Sequence, residues 1–180
     1  LFRSSQEDNN AVLKIDKDDR ASIFLAGVAV GSLSIDRQGR LFAVRRMPQA
    51  GTPAATQATA PKTSGVSMLL PQFRMWEKLD NGTVMTGRPS DVAADSTGGA
   101  FFTQQAGVYY AAPSGTITLA GGENIRANGI VFSVDEKLLY VTNETSIVVF
   151  DVQGPGKLAN QRRSEEHTSE LQSRETISYA

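Results

Sequence analysis

Two short stretches hold side chains whose types and spacing suit ligand chemistry. Gly87-Arg88-Pro89-Ser90-Asp91 brings a guanidinium, a hydroxyl and a carboxylate close together, and Arg126-Ala127-Asn128-Gly129-Ile130 sets a carboxamide beside a glycine. Asn128 offers a neutral carbonyl oxygen to a hard cation, and Gly129 permits close backbone approach. A plain Asn-Gly turn and a solvated arginine account for the same residues without any ligand. Other chemistry is excluded. There is no cysteine and a single histidine, His167, so disulfide frameworks, thiol catalysis, zinc fingers, iron–sulfur clusters and multi-His metal sites are all ruled out. No Gly-x-Ser-x-Gly elbow, P-loop or Gly-x-Gly-x-x-Gly run occurs. Asp16-Lys17-Asp18-Asp19-Arg20 opens like a calcium loop, but Arg20 stands where an oxygen ligand belongs and the sharp-turn glycine is missing, which predicts a hairpin turn. Asn81-Gly82-Thr83 and Asn143-Glu144-Thr145 match a glycosylation sequon short enough to arise by chance, and Trp76 reads as strand packing.

Both stretches immediately precede a repeated hairpin. Leu33–Val44, Val92–Thr103 and Val131–Thr142 each read as a short alternating strand, an Asp-containing turn and an apolar strand. The second strands, Leu41–Val44, Ala100–Phe102 and Leu138–Val141, are apolar on successive residues, as a strand buried on both faces requires. A further hairpin follows, seen as Val12–Phe24, Val108–Leu119 and Ile147–Leu158, and less regularly as Val66–Leu70 with Arg74–Leu79. Two hairpins make a four-stranded sheet. The Asp36, Asp95 and Asp135 turns recur at intervals of about 60 and 40 residues, near the roughly 40–50-residue period of propeller blades. Pro48–Gly65, rich in Ala, Thr, Pro and Gln, reads as one inserted loop that explains the longer interval. The predicted fold is an all-β, antiparallel β-propeller fragment of about three to three and a half four-stranded blades, short of a closed ring. In such a fold the leading ends of the first strands face the central channel, where Arg88, Ser90 and Asn128 would converge.

The 180 residues divide into a partial propeller over 1–162 and a tail over 163–180. From Arg163 the chain has no Gly or Pro and almost no apolar content, and Arg163–Ser173 resembles a one-frame translation of a common sequencing adaptor. The tail is read as non-native, and His167 goes with it. Eighteen Lys plus Arg against nineteen Asp plus Glu gives no electrostatic reason to expect nucleic acid or an anionic membrane as partner. No apolar run approaches the ~20 residues of a membrane-spanning helix. The chain starts at Leu1, so a true start and any signal peptide are expected upstream, and absence of cysteine is compatible with cytosol or periplasm.

In order, Asn-Asn-x-Val-Leu-Lys-Ile-Asp, Ser-Ile-Asp-Arg-Gln-Gly-Arg-Leu, Arg-x-x-Asp-Val-x-x-Asp, Asn-Gly-Ile-x-Phe-Ser-x-Asp-Glu-Lys-x-Leu-Tyr-Val-Thr-Asn and Phe-Asp-Val fill nearly all of 1–162. Their order and spacing resemble the SMP-30/gluconolactonase/LRE-like family. That resemblance implies a six-bladed propeller that hydrolyses sugar lactones or related esters with one divalent cation, calcium or zinc, at the top of the channel. It implies a metal-ligand role for Asn128 and a lactone-contacting role for Arg88. Ser90 stands where the family carries Asn, and its hydroxyl has a shorter reach. The family's two metal-binding carboxylates, a Glu near the start and an Asp from a later blade, have no counterpart here, and Glu7 lies in a different context. A neutral Asn alone does not hold a hard dication. The expectation is therefore a catalytically inactive fragment of a metal-assisted lactone hydrolase, with no catalytic residue present. Two alternatives stand beside it, a non-catalytic ligand- or protein-binding propeller and a strictosidine-synthase-like or arylesterase-like propeller.

Overall fold

The first hairpin of each repeat closes on a side chain that takes up backbone amides of the turn. The Asp36 carboxylate accepts from the amides of Gln38 (2.9 Å) and Arg40 (2.8 Å), and the Asp95 carboxylate accepts from those of Thr97 (2.8 Å) and Gly99 (3.1 Å). The same device turns Asp16, whose Oδ1 accepts from the amides of Asp18 (2.8 Å) and Arg20 (3.0 Å), so this segment is the expected hairpin turn. In the third repeat the position is held by Ser133 rather than Asp135. Ser133 N donates to Leu138 O (2.9 Å), as Asp36 N donates to Arg40 O and Asp95 N to Gly99 O (both 3.1 Å). Asp135, two residues on, accepts from the Ser133 hydroxyl (2.7 Å) and the Lys137 amide (3.1 Å). One carboxylate's work is thus split between two side chains in a longer turn.

These turns connect the strands of a computed structural model that describes residues 2–5, 11–26, 30–45, 65–70, 75–78, 88–104 and 107–164. Sheet I contains β1 (Phe2–Ser5), β2 (Ala11–Ile15) and β3 (Ala21–Leu25). Sheet II contains β4 (Val30–Ile35), β5 (Leu41–Arg45), β6 (Gly65–Leu70) and β7 (Met75–Lys78). Sheet III contains β8 (Val92–Ala94), β9 (Ala100–Gln104), β10 (Gly107–Ala111) and β11 (Ile117–Gly121). Sheet IV contains β12 (Ala127–Phe132), β13 (Leu138–Asn143), β14 (Ser146–Gly154) and β15 (Lys157–Arg163). Every pairing is antiparallel between strands consecutive in sequence. The first strands β4, β8 and β12 lie side by side, as the innermost strands of neighbouring propeller blades do. No described helix is long and apolar enough to cross a membrane.

Three apolar layers join the sheets. Val12 of sheet I packs with Val30, Leu41 and Ala43 of sheet II. The opposite face of β5, Phe42 and Val44, meets Val92, Ala100 and Phe102 of sheet III. Phe101, Val108 and Tyr110 of sheet III meet Leu139, Val141 and Phe150 of sheet IV. Successive residues of β5 and β9 therefore enter different layers, and all of both strands is buried, as their unbroken apolar runs require. In β13 only Leu139 and Val141 are fully buried; Leu138 and Tyr140 face the side that no described sheet covers.

Three details differ from the sequence reading. Residues 1–30 supply β1 as well as the expected hairpin; Phe2–Ser5 is too short and polar to announce a strand, and its pairing with β2 creates it. Gly65 belongs to β6, while the rest of the 48–65 insertion lies outside the described residues. Sheet IV runs through Arg163, which pairs with Val148, and the Ser164 amide donates to Ile147 O (2.8 Å). Residues 165–180, including His167, lie outside the described residues, as do Glu7 and Asn81.

Candidate functional site at the leading ends of the inner strands

The turns fix a common register for the inner strands. Counted back from Asp36, Asp95 and Ser133, the residues Ser32, Asp91 and Gly129 hold one strand position, and Gly31, Ser90 and Asn128 hold the one before it. Ser90 and Asn128, which the family resemblance gives different roles, are thus the same position in successive blades. Both β4 and β12 carry a bulge here. Gly31 is the extra residue in β4, and Asn128 and Gly129 together oppose Thr142 in β12. A bulge releases a residue from the ladder and re-aims it. Asn128 is accordingly exposed, as is Arg88, while Ser90 is half-buried behind buried Pro89.

Thr103, fully buried in β9, draws these residues together. Its carbonyl accepts from the Ser90 amide (2.9 Å) and its own amide donates to Asp91 O (3.0 Å). Its hydroxyl accepts from the Asp91 amide (3.1 Å) and donates to the Asn128 carbonyl. Thr142 does the equivalent work in sheet IV, its hydroxyl accepting from the Gly129 amide (2.7 Å). A Cβ at residue 129 would stand 3.3 Å from that hydroxyl and 3.8 Å from Asp91 Oδ2, so glycine keeps the approach open.

Asp91 is the residue that sequence reasoning undervalued. Its Oδ1 accepts from the Val92 amide (2.9 Å) and the Ser32 hydroxyl, and its Oδ2 accepts from the Ile130 amide (2.9 Å). One carboxylate therefore touches β4, β8 and β12. A faint signal was present in Phe102-Thr103 and Val141-Thr142, where a hydroxyl ends an apolar strand at the same repeat position. Nothing in the sequence joined Ser32 to Asp91.

The donor set does not fit a resident dication. Both Asp91 oxygens are already committed to protein donors, the Asn128 carbonyl is taken by Thr103, and among the described residues no three His, Cys, Asp or Glu side chains cluster. What remains is a neutral carboxamide, too weak alone for calcium or zinc.

Below Asp91 and Ile130 a groove of about 400 Å³ follows the inner strands past Ser34 and Ala93. At its turn end Arg37 reaches across sheet III, pairing with Glu136 (Nε–Oε1 2.8 Å) and donating to Val134 O. Beside this end lies a second polar cluster, in which the buried Tyr110 hydroxyl donates to Asp95 Oδ2 (2.7 Å). Burial pushes the Tyr110 phenol well above its ordinary pKa, and the neighbouring Asp95 carboxylate adds to the rise while the Thr97 hydroxyl opposes it. Gly99 makes room for this ring, since a Cβ there would fall 2.1 Å from the hydroxyl.

A gluconolactonase from Xanthomonas campestris superposes on 85% of this chain with a TM-score of 0.62 at 19% sequence identity. The chain has a gluconolactonase-like β-propeller fold. It spans 54% of that enzyme's length. Propellers of other kinds align as well: an auxiliary nutrient-binding protein from Bacteroides thetaiotaomicron (TM-score 0.63, 11% identity, 91% of this chain and 38% of that one) and TolB from Acinetobacter baumannii (0.62, 11%, 90% and 39%). No protein-family model and no curated protein sequence matches the chain.

Proposed function

We propose that this chain is part of a propeller acting on a sugar lactone or related ester, and that it supplies a substrate-contacting wall without the catalytic carboxylates. The observation that carries this reading is Thr103, which holds Ser90 and Asn128 at one end of the inner strands. Arg88 leads into the same segment, and its guanidinium donates to the oxygens of a lactone. Ser90 contributes a hydroxyl that donates or accepts, and Asn128 a carboxamide. Asp91 is assigned a structural role rather than that of general base, because both its oxygens accept from protein donors, the Val92 and Ile130 amides and the Ser32 hydroxyl. The divalent cation, calcium or zinc, belongs to the reading of a complete propeller.

Purified residues 1–180 should release no gluconate from glucono-1,5-lactone above the spontaneous rate, with calcium or zinc added or with chelator present. Ligand-observed NMR should detect D-gluconate on the folded chain, with the signal reduced in Arg88→Ala. Chelator-sensitive hydrolysis would overturn the inactive reading. A second reading, a non-catalytic binding propeller, draws on the committed Asp91 carboxylate. It gains if the folded chain binds neither gluconate nor lactone, and profiling with aryl esters separates the arylesterase-like alternative.

A further inference from the structure

We infer that Asp91 is a positioning residue for the lactone-contacting wall, holding three blades in register rather than touching substrate. The inference rests on the reading of Arg88, Ser90 and Asn128 given above, and three observations carry it. First, Ser32, Asp91 and Gly129 occupy one position in three successive inner strands, so a side chain at the middle position reaches both neighbours. Asp91 is the one of the three with two acceptor oxygens and the length to use them: Oδ1 takes the Ser32 hydroxyl of β4, and Oδ2 takes the Ile130 amide of β12. Second, β4 and β12 are both bulged at this level, which takes Gly31, and Asn128 with Gly129, out of one-to-one ladder pairing. The residues just after the bulges, Ser32 and Ile130, reach the carboxylate with a hydroxyl and an amide. Third, the residues one step further out are Gly31, Ser90 and Asn128, so whatever fixes the Asp91 level sets the spacing of the proposed contact residues above it.

The chemistry explains why aspartate suits the position. An ionised carboxylate is acceptor-only, and all three groups facing its oxygens are donors. Asparagine would present an NH₂ to one side, where an amide N–H offers no acceptor. Alanine would leave the donors at Val92 and Ile130 unpaired. A serine at residue 32 is matched in length, since a longer side chain would push β4 from β8.

The test uses the full chain with Asp91→Asn, the milder Ser32→Ala and the contact variant Arg88→Ala, read by backbone amide NMR and by D-gluconate affinity. Asp91→Asn should move the amide resonances of Ile130, Ser90 and Asn128 together, although Ile130 and Asn128 lie in another blade. Ser32→Ala should move Val92 and Ser90 and leave β13 unchanged. Gluconate affinity should fall about tenfold or more in Asp91→Asn, the loss expected for hydrogen bonds to a charged group. Arg88→Ala should weaken gluconate equally while leaving the Ile130 resonance in place. An Asp91→Asn chain whose Ile130, Ser90 and Asn128 resonances stay where they are overturns the positioning role, whatever happens to gluconate. If those resonances move while the folded parent binds no gluconate, the positioning role stands and the lactone reading fails.

Discussion

The two ends of the inner strands solve the same problem by opposite means. At the turn end each blade satisfies its own backbone: Asp36 caps residues 38 and 40, Asp95 caps 97 and 99, and Ser133 with Asp135 caps 137 and 138. The partners of these caps lie within five residues, although Glu136 also crosses between blades there, pairing with Arg37 (2.8 Å) and accepting from the Ser96 amide (3.3 Å). At the leading end Asp91 accepts from Ser32 and Ile130, 59 and 39 residues away in sequence. A tight turn brings its own donors to a side chain, whereas the leading strand ends combine partners in their own blade, such as Thr142 for the Gly129 amide, with the Asp91 carboxylate of a neighbour. The turn caps are thus modular, whereas the Asp91 contacts at the leading end exist only when blades are assembled. The proposed ligand-contacting wall lies at the leading end, where Asp91 joins three blades.

The sharpest way to break this comparison is Asp91→Ala, which should cost about 3 kcal/mol by leaving the Val92 and Ile130 amides and the Ser32 hydroxyl unpaired. Hydrogen exchange should rise in β4, β8 and β12 alike; acceleration confined to β8 would mean that the carboxylate does not couple blades. Asp95→Ala tests the modular end. It should cost about 2 kcal/mol through the Thr97 and Gly99 amides, with exchange rising mainly in the β8–β9 turn of sheet III. Equal spread into sheets II and IV would erase the contrast.

A smaller effect is expected from Tyr110, whose phenol is raised by burial and by the Asp95 carboxylate. The unfolded chain ionises this phenol near pH 10, before the folded chain does, so stability should fall as pH rises above about 10. Tyr110→Phe should remove that part of the alkaline loss in urea titrations at pH 9 and pH 11. An unchanged slope would show that the hydroxyl does not titrate differently in the two states. Smallest is Asp135, held below the ordinary carboxylate range by the Ser133 hydroxyl and then the Lys137 amide. A depressed carboxylate stabilises above its unfolded pKa, and that help is lost as pH falls through the folded value. Ser133→Ala should raise the Asp135 midpoint in a carbon-detected NMR titration, and an unmoved midpoint would remove Ser133 from the turn.

Much of the architecture was legible because its causes are local. Asp-containing turns and doubly apolar second strands follow from hydrogen bonding and burial over a few residues, so β4–β5, β8–β9 and β12–β13 fall where the repeats predict. The Asp36, Asp95 and Asp135 alignment slipped at its third member because Ser133 and Asp135 divide one role in a longer turn. The site was half legible. Arg88, Ser90 and Asn128 could be named from type and motif, but the meeting of Ser90 and Asn128 through Thr103, and the commitment of Asp91, could not. Those contacts join residues from three strands that no periodicity links.

By itself the sequence determined the blade: which residues pair as hairpins, and that β5 and β9 are buried on both faces. Only the tertiary structure decided which strand ends share a carboxylate, and that Asn128 and Ser90 occupy one position in neighbouring blades. The physical reason is range. Turn capping and alternation act within a few residues, whereas the hydrogen bonds of Asp91 form only after blade packing has brought β4, β8 and β12 side by side.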